Sequence, residues 1–341
     1  MAFHEDHPWH RIEKIDAHVH YNVDRTALLD TGKANGFRLV TINTEIGEFI
    51  SPEEQQNLAI KINENDPGRL HFITTFRTQD FSKPGWQDQA LYELESGWER
   101  GAVAAKIWKN IGMELKDQKG NFIMADNPAF DPLYSYLEKN NIPLAAHLGE
   151  PKNCWLPLEE MTVTSDRDYF SRNPVYHMYL QPHAPSYKDQ LNARDRILAK
   201  HPNLTFVGLH LASLEWSVDE VASWLDRHPN AGVDLAERVC HLQYQAVDQR
   251  SKVISFMEAY QDRIIYGSDQ IDADESIPAS EIIQALETKW KNEFRFFSDD
   301  TIQTAWNVAK PFRGLGLPEK IVKKIFHDNA IRYYPRMEEW K

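Results

Sequence analysis

Eight short apolar, β-branched runs recur along this chain, each followed by a stretch with helical periodicity: 14–20, 37–44, 70–77, 102–108, 142–148, 204–211, 231–237 and 263–269. Strict alternation of strand and helix demands crossover connections and therefore a parallel sheet. Eight repeats are the number that closes such a sheet into a (β/α)8 TIM barrel, an α/β fold with its helices outside. The competing doubly wound open sheet needs a glycine-rich phosphate turn after an early strand, and none follows KIDAHVH or FRLVTINT. A length of 341 residues suits one barrel. The expected organisation is an N-terminal extension over 1–11, a single barrel domain over 12–335 and a tail over 336–341.

Between the strands, SPEEQQNLAIKINEN opens with Ser51 as a helix cap and Pro52 at the first helical position. In DQLNARDRILAKH and SVDEVASWLDRH, Leu191, Ile197 and Leu198, and Val218, Val221 and Leu225, recur at helical spacing. SEIIQALETKW, TIQTAWNVAKPF and EKIVKKIFHDNAIRYY are read as helices that close the barrel and cap its far side. The connection from Gly149 to Tyr187 is too long to be a simple link and too aromatic to be disordered. It is expected to cover the barrel mouth or to build a homodimer contact.

Composition narrows the partners. A formal charge of −13 argues against nucleic acid and anionic membranes, whose phosphates require basic patches, and leaves a small-molecule substrate. Two cysteines without a C-x-x-C spacing, and an N-terminus without an apolar run, give a cytoplasmic expectation. His4, His7 and His10 fall in that polar extension and are read as solvated or as part of a lid.

In a parallel barrel the chemistry sits at the C-terminal strand ends. In IDAHVH, Asp16, His18 and His20 share one face by the two-residue period. Strand five ends with His147, strand six with His210, strand eight with Asp269, and strand four carries Lys106 with Trp108 on the same face. Buried imidazole or carboxylate at the end of an apolar run is costly unless paired or coordinated. Taken singly, each has an ordinary explanation: Asp269 as a helix cap, Lys106 paired with Glu150. Taken together, imidazoles and a carboxylate converging on one rim match the donor preference of zinc and similar divalent ions.

The order Asp-x-His-x-His on strand one, Lys on strand four, His on five and six and GSD on eight resembles the amidohydrolase superfamily of metal-dependent barrels. IFHDNAIRYY and RIIYGSDQ are similar to its amidohydrolase-related branch of hydrolases and decarboxylases. The resemblance covers roughly residues 12–335. It implies that His18, His20, His147 and Asp269 hold one metal, zinc before manganese, with His210 beside the bound water. It also implies a two-metal alternative, in which a carbamylated Lys106 bridges and His210 becomes a ligand. Asp269 is then the general base and His210 the group that orients water or steadies an oxyanion.

The expected activity is hydrolysis of a small lactone, ester or amide. Decarboxylation on the same ligands is the alternative, and a catalytically inactive binding barrel is the second. Arg77 and Arg238 are candidates to receive a substrate carboxylate, or else pair with Asp80 and Glu237. Trp108 and Glu150 are further substrate-binding candidates, and Trp155, Tyr176 and His183 are possible pocket lining. Glu215 and Asp234 are expected to orient imidazoles. His71, His201 and His228 lie at the opposite end and are read as caps or solvated groups. Cys154 has no activating partner nearby in sequence.

Overall fold

The computed structural model describes residues 3–338. Nine parallel strand segments form one sheet: β1 (Lys14–Tyr21), β2 (Phe37–Ile42), β3 (Leu70–Thr75), β4 (Ala104–Ile107), β5 (Leu144–Ala146), β6 (Phe206–Gly208), β7 (Ala231–Asp234), β8 (Ile264–Ile265) and β9 (Gln270–Asp272). β2 to β8 pair in chain order, β8 pairs with β7, and β9 pairs with β1. β8 and β9 are two pieces of the eighth barrel strand, broken at Tyr266–Asp269. Ala17 N donates to Tyr266 O at 3.0 Å and Asp269 N to His18 O at 2.7 Å, so the sheet closes across the break. The fold is a TIM barrel.

Ser51 and Glu54 form a reciprocal capping box at the start of the helix Pro52–Asn65, as the sequence suggests. Inside the barrel, Ile15, Ala17, Val40, Ile42, Ile73, Ala104, Ala145, Val207 and Ile265 make a buried apolar layer, which Ala330, Tyr333, Tyr334 and Met337 close from the C-terminal segment. Gly232 is required there, because a Cβ would meet the Tyr333 ring at 2.6 Å.

Four expectations change. TIQTAWNVAKPF is an antiparallel hairpin, β10 (Ile302–Ala305) and β11 (Val308–Arg313), turning at Trp306 and Asn307. Its β-branched residues at Ile302, Thr304 and Val308 favour extended backbone over a helix. The N-terminal residues pack on the barrel: Trp9 is buried, and His7 Nε2 lies 2.8 Å from Asp299, so His7 is not solvated, whereas His4 and His10 are exposed. His71 is a buried residue of β3 rather than a cap, and burial beside Arg38 pushes its imidazole down to about 4. Finally, Asp16 does not share a face with His18 and His20. The register slips between Asp16, opposite Leu39, and Val19, opposite Thr41, placing one extra residue on β1. This bulge leaves Asp16 facing the outer helices, where Oδ2 accepts from Trp290 Nε1 at 2.7 Å, and turns the two histidines inward. Residues 339–341 of the expected tail lie outside the described part. Among the described residues no helix is long and apolar enough to cross a membrane.

Candidate metal centre

The inward turn after the bulge brings His18 and His20 against Asp269, which the break in the eighth strand presents at φ 61°. His18 Nε2 and His20 Nε2 each lie 3.2 Å from Asp269 Oδ1. One ligand atom from each of the three falls within 4.8 Å of the others. Gly267 permits the approach, since a Cβ there would sit 2.6 Å from His18 Cβ.

Hydrogen bonds fix which ring nitrogens are bare. His18 Nδ1 lies 2.6 Å from Asp234 Oδ2, and His20 Nδ1 donates to Ile42 O at 3.0 Å. A carbonyl only accepts, so His20 carries its proton on Nδ1 and turns a lone pair on Nε2 toward Asp269. His210 Nδ1 donates to Ala236 O at 2.9 Å, which leaves Nε2 to accept from His147 Nδ1 at 3.1 Å. His147 Nε2 is then bare, buried and without a hydrogen bond, 3.6 Å from Glu150 Oε2.

The trio fits a divalent cation. Tetrahedral ligands at about 2.0–2.1 Å from an ion stand about 3.3 Å apart, close to the 3.2 Å separations here. His18 Nε2 is buried and makes no hydrogen bond of acceptable geometry. Burial pulls the His18 imidazole down, but Asp269 and Asp234 outweigh it and hold it up at about 9, so the protein's own charges favour a positive charge at this point. Burial would raise Asp269, yet His18 and His20 keep its carboxyl well below the usual range.

His147 and His210 continue the cluster outward. The His18 and His210 ring centroids are 5.0 Å apart and those of His147 and His210 are 4.1 Å apart. His147 is not a member of the 4.8 Å trio. His210 stands outside the regular strand, which ends at Gly208, on a left-handed turn: His210, Leu211, Ala212 and Ser213 all have φ of 56–57°. Such backbone costs about 1–2 kcal/mol per residue. It is held by Asp234 Oδ1, which accepts from His210 N at 2.5 Å, and by Ser213 Oγ donating to Leu148 O at 3.0 Å. Arg194 and the Tyr187 hydroxyl donate to the carbonyls of Ala212 and Ser213. Asp234 therefore orients two imidazole-bearing segments at once, the role expected of it.

The cluster opens into a cavity of about 460 Å³. Lys106, Trp108, Glu150, Tyr176 and Arg238 line it, and the segment after β5 roofs it through the helix Thr164–Arg172. This segment has its own small core of Met113, Cys154, Met161, Phe170 and Met178. Lys106 is buried, with no hydrogen bond or ion pair to its ammonium among the described residues, and burial pulls it down to about 8. Its expected partner Glu150 pairs instead with Lys109 and lies 3.8 Å from Arg238. Arg238 does not pair with the Glu237 carboxylate, which binds Lys289. It lies 3.9 Å from Asp166 and leaves its Nε without a partner.

Several candidates fall elsewhere. Arg77 is half exposed, holds Glu93 rather than Asp80 and does not line this cavity. Trp155 packs on Tyr187, and His183 lies on another surface cleft. Glu215 accepts from Lys152 N at 2.8 Å, tying down the start of the roof instead of an imidazole. His201 and His228 do flank helix ends. The Cys154 thiol is buried, pushed up by that burial, and donates to Tyr176 O at 3.0 Å.

Sequence reasoning missed Lys109, Asp166 and His241. Asp166, on the roof helix, lies 3.1 Å from His241 Nε2 and bonds Asn153 Nδ2 at 2.8 Å. The signal for Lys109 was its place just beyond strand four; Asp166 and His241 meet only through the tertiary fold.

A parallel barrel whose C-terminal rim gathers imidazoles and a carboxylate carries a donor set that can hold a metal ion. The family described as Amidohydrolase matches residues 15–336, and the chain belongs to that family, which makes it an enzyme of the amidohydrolase kind. No curated protein matches it. Among solved structures, a protein from Agrobacterium tumefaciens is similar at 10% identity and TM-score 0.48, covering 95% of this chain and 96% of that one. Ochratoxinase from A. niger is similar at 12% identity and TM-score 0.45, covering 95% and 71%. D-hydantoinase from Thermus sp. is similar at 12% identity and TM-score 0.41, covering 76% of this chain and 58% of that one.

Proposed function

We propose that the protein is a metal-dependent hydrolase of a small lactone, ester or amide, working with one divalent ion. The observation that carries this reading is the trio of buried His18 and His20 with Asp269, both imidazole Nε2 atoms 3.2 Å from Asp269 Oδ1 and His18 Nε2 without a well-formed hydrogen bond. An imidazole-rich set with one carboxylate favours zinc, then manganese. His147 Nε2, bare and buried, is the further ligand of this reading, although it lies outside the trio. When bound, the ion supplies Lewis acidity and makes water a nucleophile at neutral pH.

The chain's own groups supply the rest. Asp269, kept ionised, takes the proton of the attacking water on its carboxylate and returns it to the leaving group. His210, neutral because burial and the nearby His147 pull it well down, has both ring nitrogens engaged, so it holds His147 through Nε2 rather than orienting that water. Arg238 and Lys106 receive a substrate carboxylate: one has an unused Nε and the other an unused ammonium. Glu150 keeps Lys109 and Arg238 charged and spaced, Trp108 walls the acyl side, and the roof excludes bulk water.

The unpaired Lys106 ammonium also suits the second reading, non-oxidative decarboxylation of a carboxylated substrate. Turnover of carboxylated lactones, esters and amides in ¹⁸O-water separates the two. Incorporation of the label into product is expected; release of carbon dioxide without incorporation would replace hydrolysis by decarboxylation.

A further inference from the structure

Glu237 lines two cavities. Beyond the one at the metal centre, it borders a second cleft of about 610 Å³ whose other walls are the helix Val239–Ala259, the helix Ala279–Ser298 and the β10–β11 hairpin. Gln243 lies in its wall, only 5% exposed, and its side-chain amide makes no hydrogen bond to any described residue. An amide carries two N–H donors and an acceptor, and leaving them all unused in a buried place is unfavourable unless a ligand or water meets them. Asn307 lines the same cleft, and its Oδ1 is likewise buried and unpartnered. Gln284 and Asn292 add two further amides. At the hairpin turn the Trp306 ring, 70% exposed, borders the cleft.

The one cation among the described residues lining this cleft is paired within the protein, and the Glu281 carboxylate is left to accept from a ligand hydroxyl. Lys289 is held by Glu237, and burial pushes the Glu293 carboxyl up to about 8 while the Tyr266 hydroxyl donates to it at 2.7 Å. Among the described lining residues no free cation is left for a phosphate or carboxylate, and so many amides do not suit a hydrocarbon. What fits is a neutral ligand dense in groups that both donate and accept, with one apolar face for an indole. Vicinal hydroxyls meet the first need, and the C–H face of a pyranose ring meets the second.

We propose that this cleft is a saccharide-binding site, in which Gln243 and Asn307 hydrogen-bond ring hydroxyls and Trp306 stacks on the sugar face. The site shares the Glu237 wall with the metal-centre cavity, and its test needs no assumption about turnover. Binding of D-glucose, D-galactose, D-xylose, maltose and lactose is followed by tryptophan fluorescence and saturation-transfer NMR on the full chain. At least one sugar is expected to bind saturably. Gln243→Leu is expected to weaken that binding about tenfold, the value of one buried hydrogen bond. Trp306→Ala, at a position 70% exposed, is expected to weaken it at least as much. If no sugar binds at tens of millimolar, or if binding persists undiminished in both variants while their melting temperatures match the wild type, the proposal is wrong. A concentration-dependent dimer that Trp306→Ala dissolves, with no sugar bound, would overturn it in favour of self-association.

Discussion

The two ends of the barrel are built on opposite rules. At the N-terminal end, Tyr333, Tyr334 and Met337 seal an apolar layer, Tyr333 donates to Ala231 O at 3.0 Å and Asn329 to Ile264 O at 2.8 Å, although ring nitrogens of His71, His201 and His228 stay buried without a partner. At the C-terminal end, His18 Nε2, His147 Nε2, Glu215 Oε2 and Arg238 Nε are buried without partners, and four consecutive residues hold left-handed backbone. Buried polar atoms left unpaired cost roughly 1–3 kcal/mol each. The apolar layer of the sealed end supplies stability, the left-handed turn and the clustered titratable groups of the open end consume it, and a change at one should leave the other nearly untouched.

That separation can be broken, beginning with the largest effect. His18→Ala and Asp269→Asn are each expected to lower turnover by at least about 10²–10⁴-fold, with melting temperature nearly unchanged by calorimetry. Tyr333→Ala should do the reverse, costing about 3–5 kcal/mol in denaturant titration while kcat per folded molecule stays the same. A His18→Ala chain that fails to fold, or a Tyr333→Ala chain that loses turnover while folded, would join the two ends.

His71 sharpens the contrast through pH. Its folded pKa lies at about 4, below the ordinary value for histidine, so the unfolded chain binds the extra proton. Its contribution is full above the unfolded pKa of about 6.5 and is lost as pH falls toward about 4, by up to about 3 kcal/mol. Urea titrations of wild type and His71→Asn should diverge over this window, and parallel curves would remove His71 from the account. The smallest expected effect is that of Asp234→Asn, which leaves every metal-facing nitrogen in place but loosens His18 and the His210 turn. Metal affinity should fall about 10–100-fold, and an unchanged affinity would mean that the ring positions are set without it.

Strand order, barrel closure and the inward histidines could be read from the sequence because they rest on local periodicity repeated along the chain. What escaped depends on one residue more or less in a register or on distant pairing. The bulge that separates Asp16 from His18 has no signature in IDAHVH. The hairpin at Ile302–Arg313 turns on Trp306-Asn307 instead of Asn-Gly, and so resembled a helix. Arg77 met Glu93, sixteen residues on, before it could meet a substrate, and Asp166 reached Arg238 and His241 only through the folded roof.

The most direct test is metal content. Protein prepared without chelator is measured by elemental analysis beside His18→Ala and His20→Ala, with X-ray absorption at the metal edge. One divalent ion per chain, bound through imidazole nitrogen and carboxylate oxygen and missing from both variants, is predicted. A wild-type chain free of metal, or variants that retain a full complement, would contradict it.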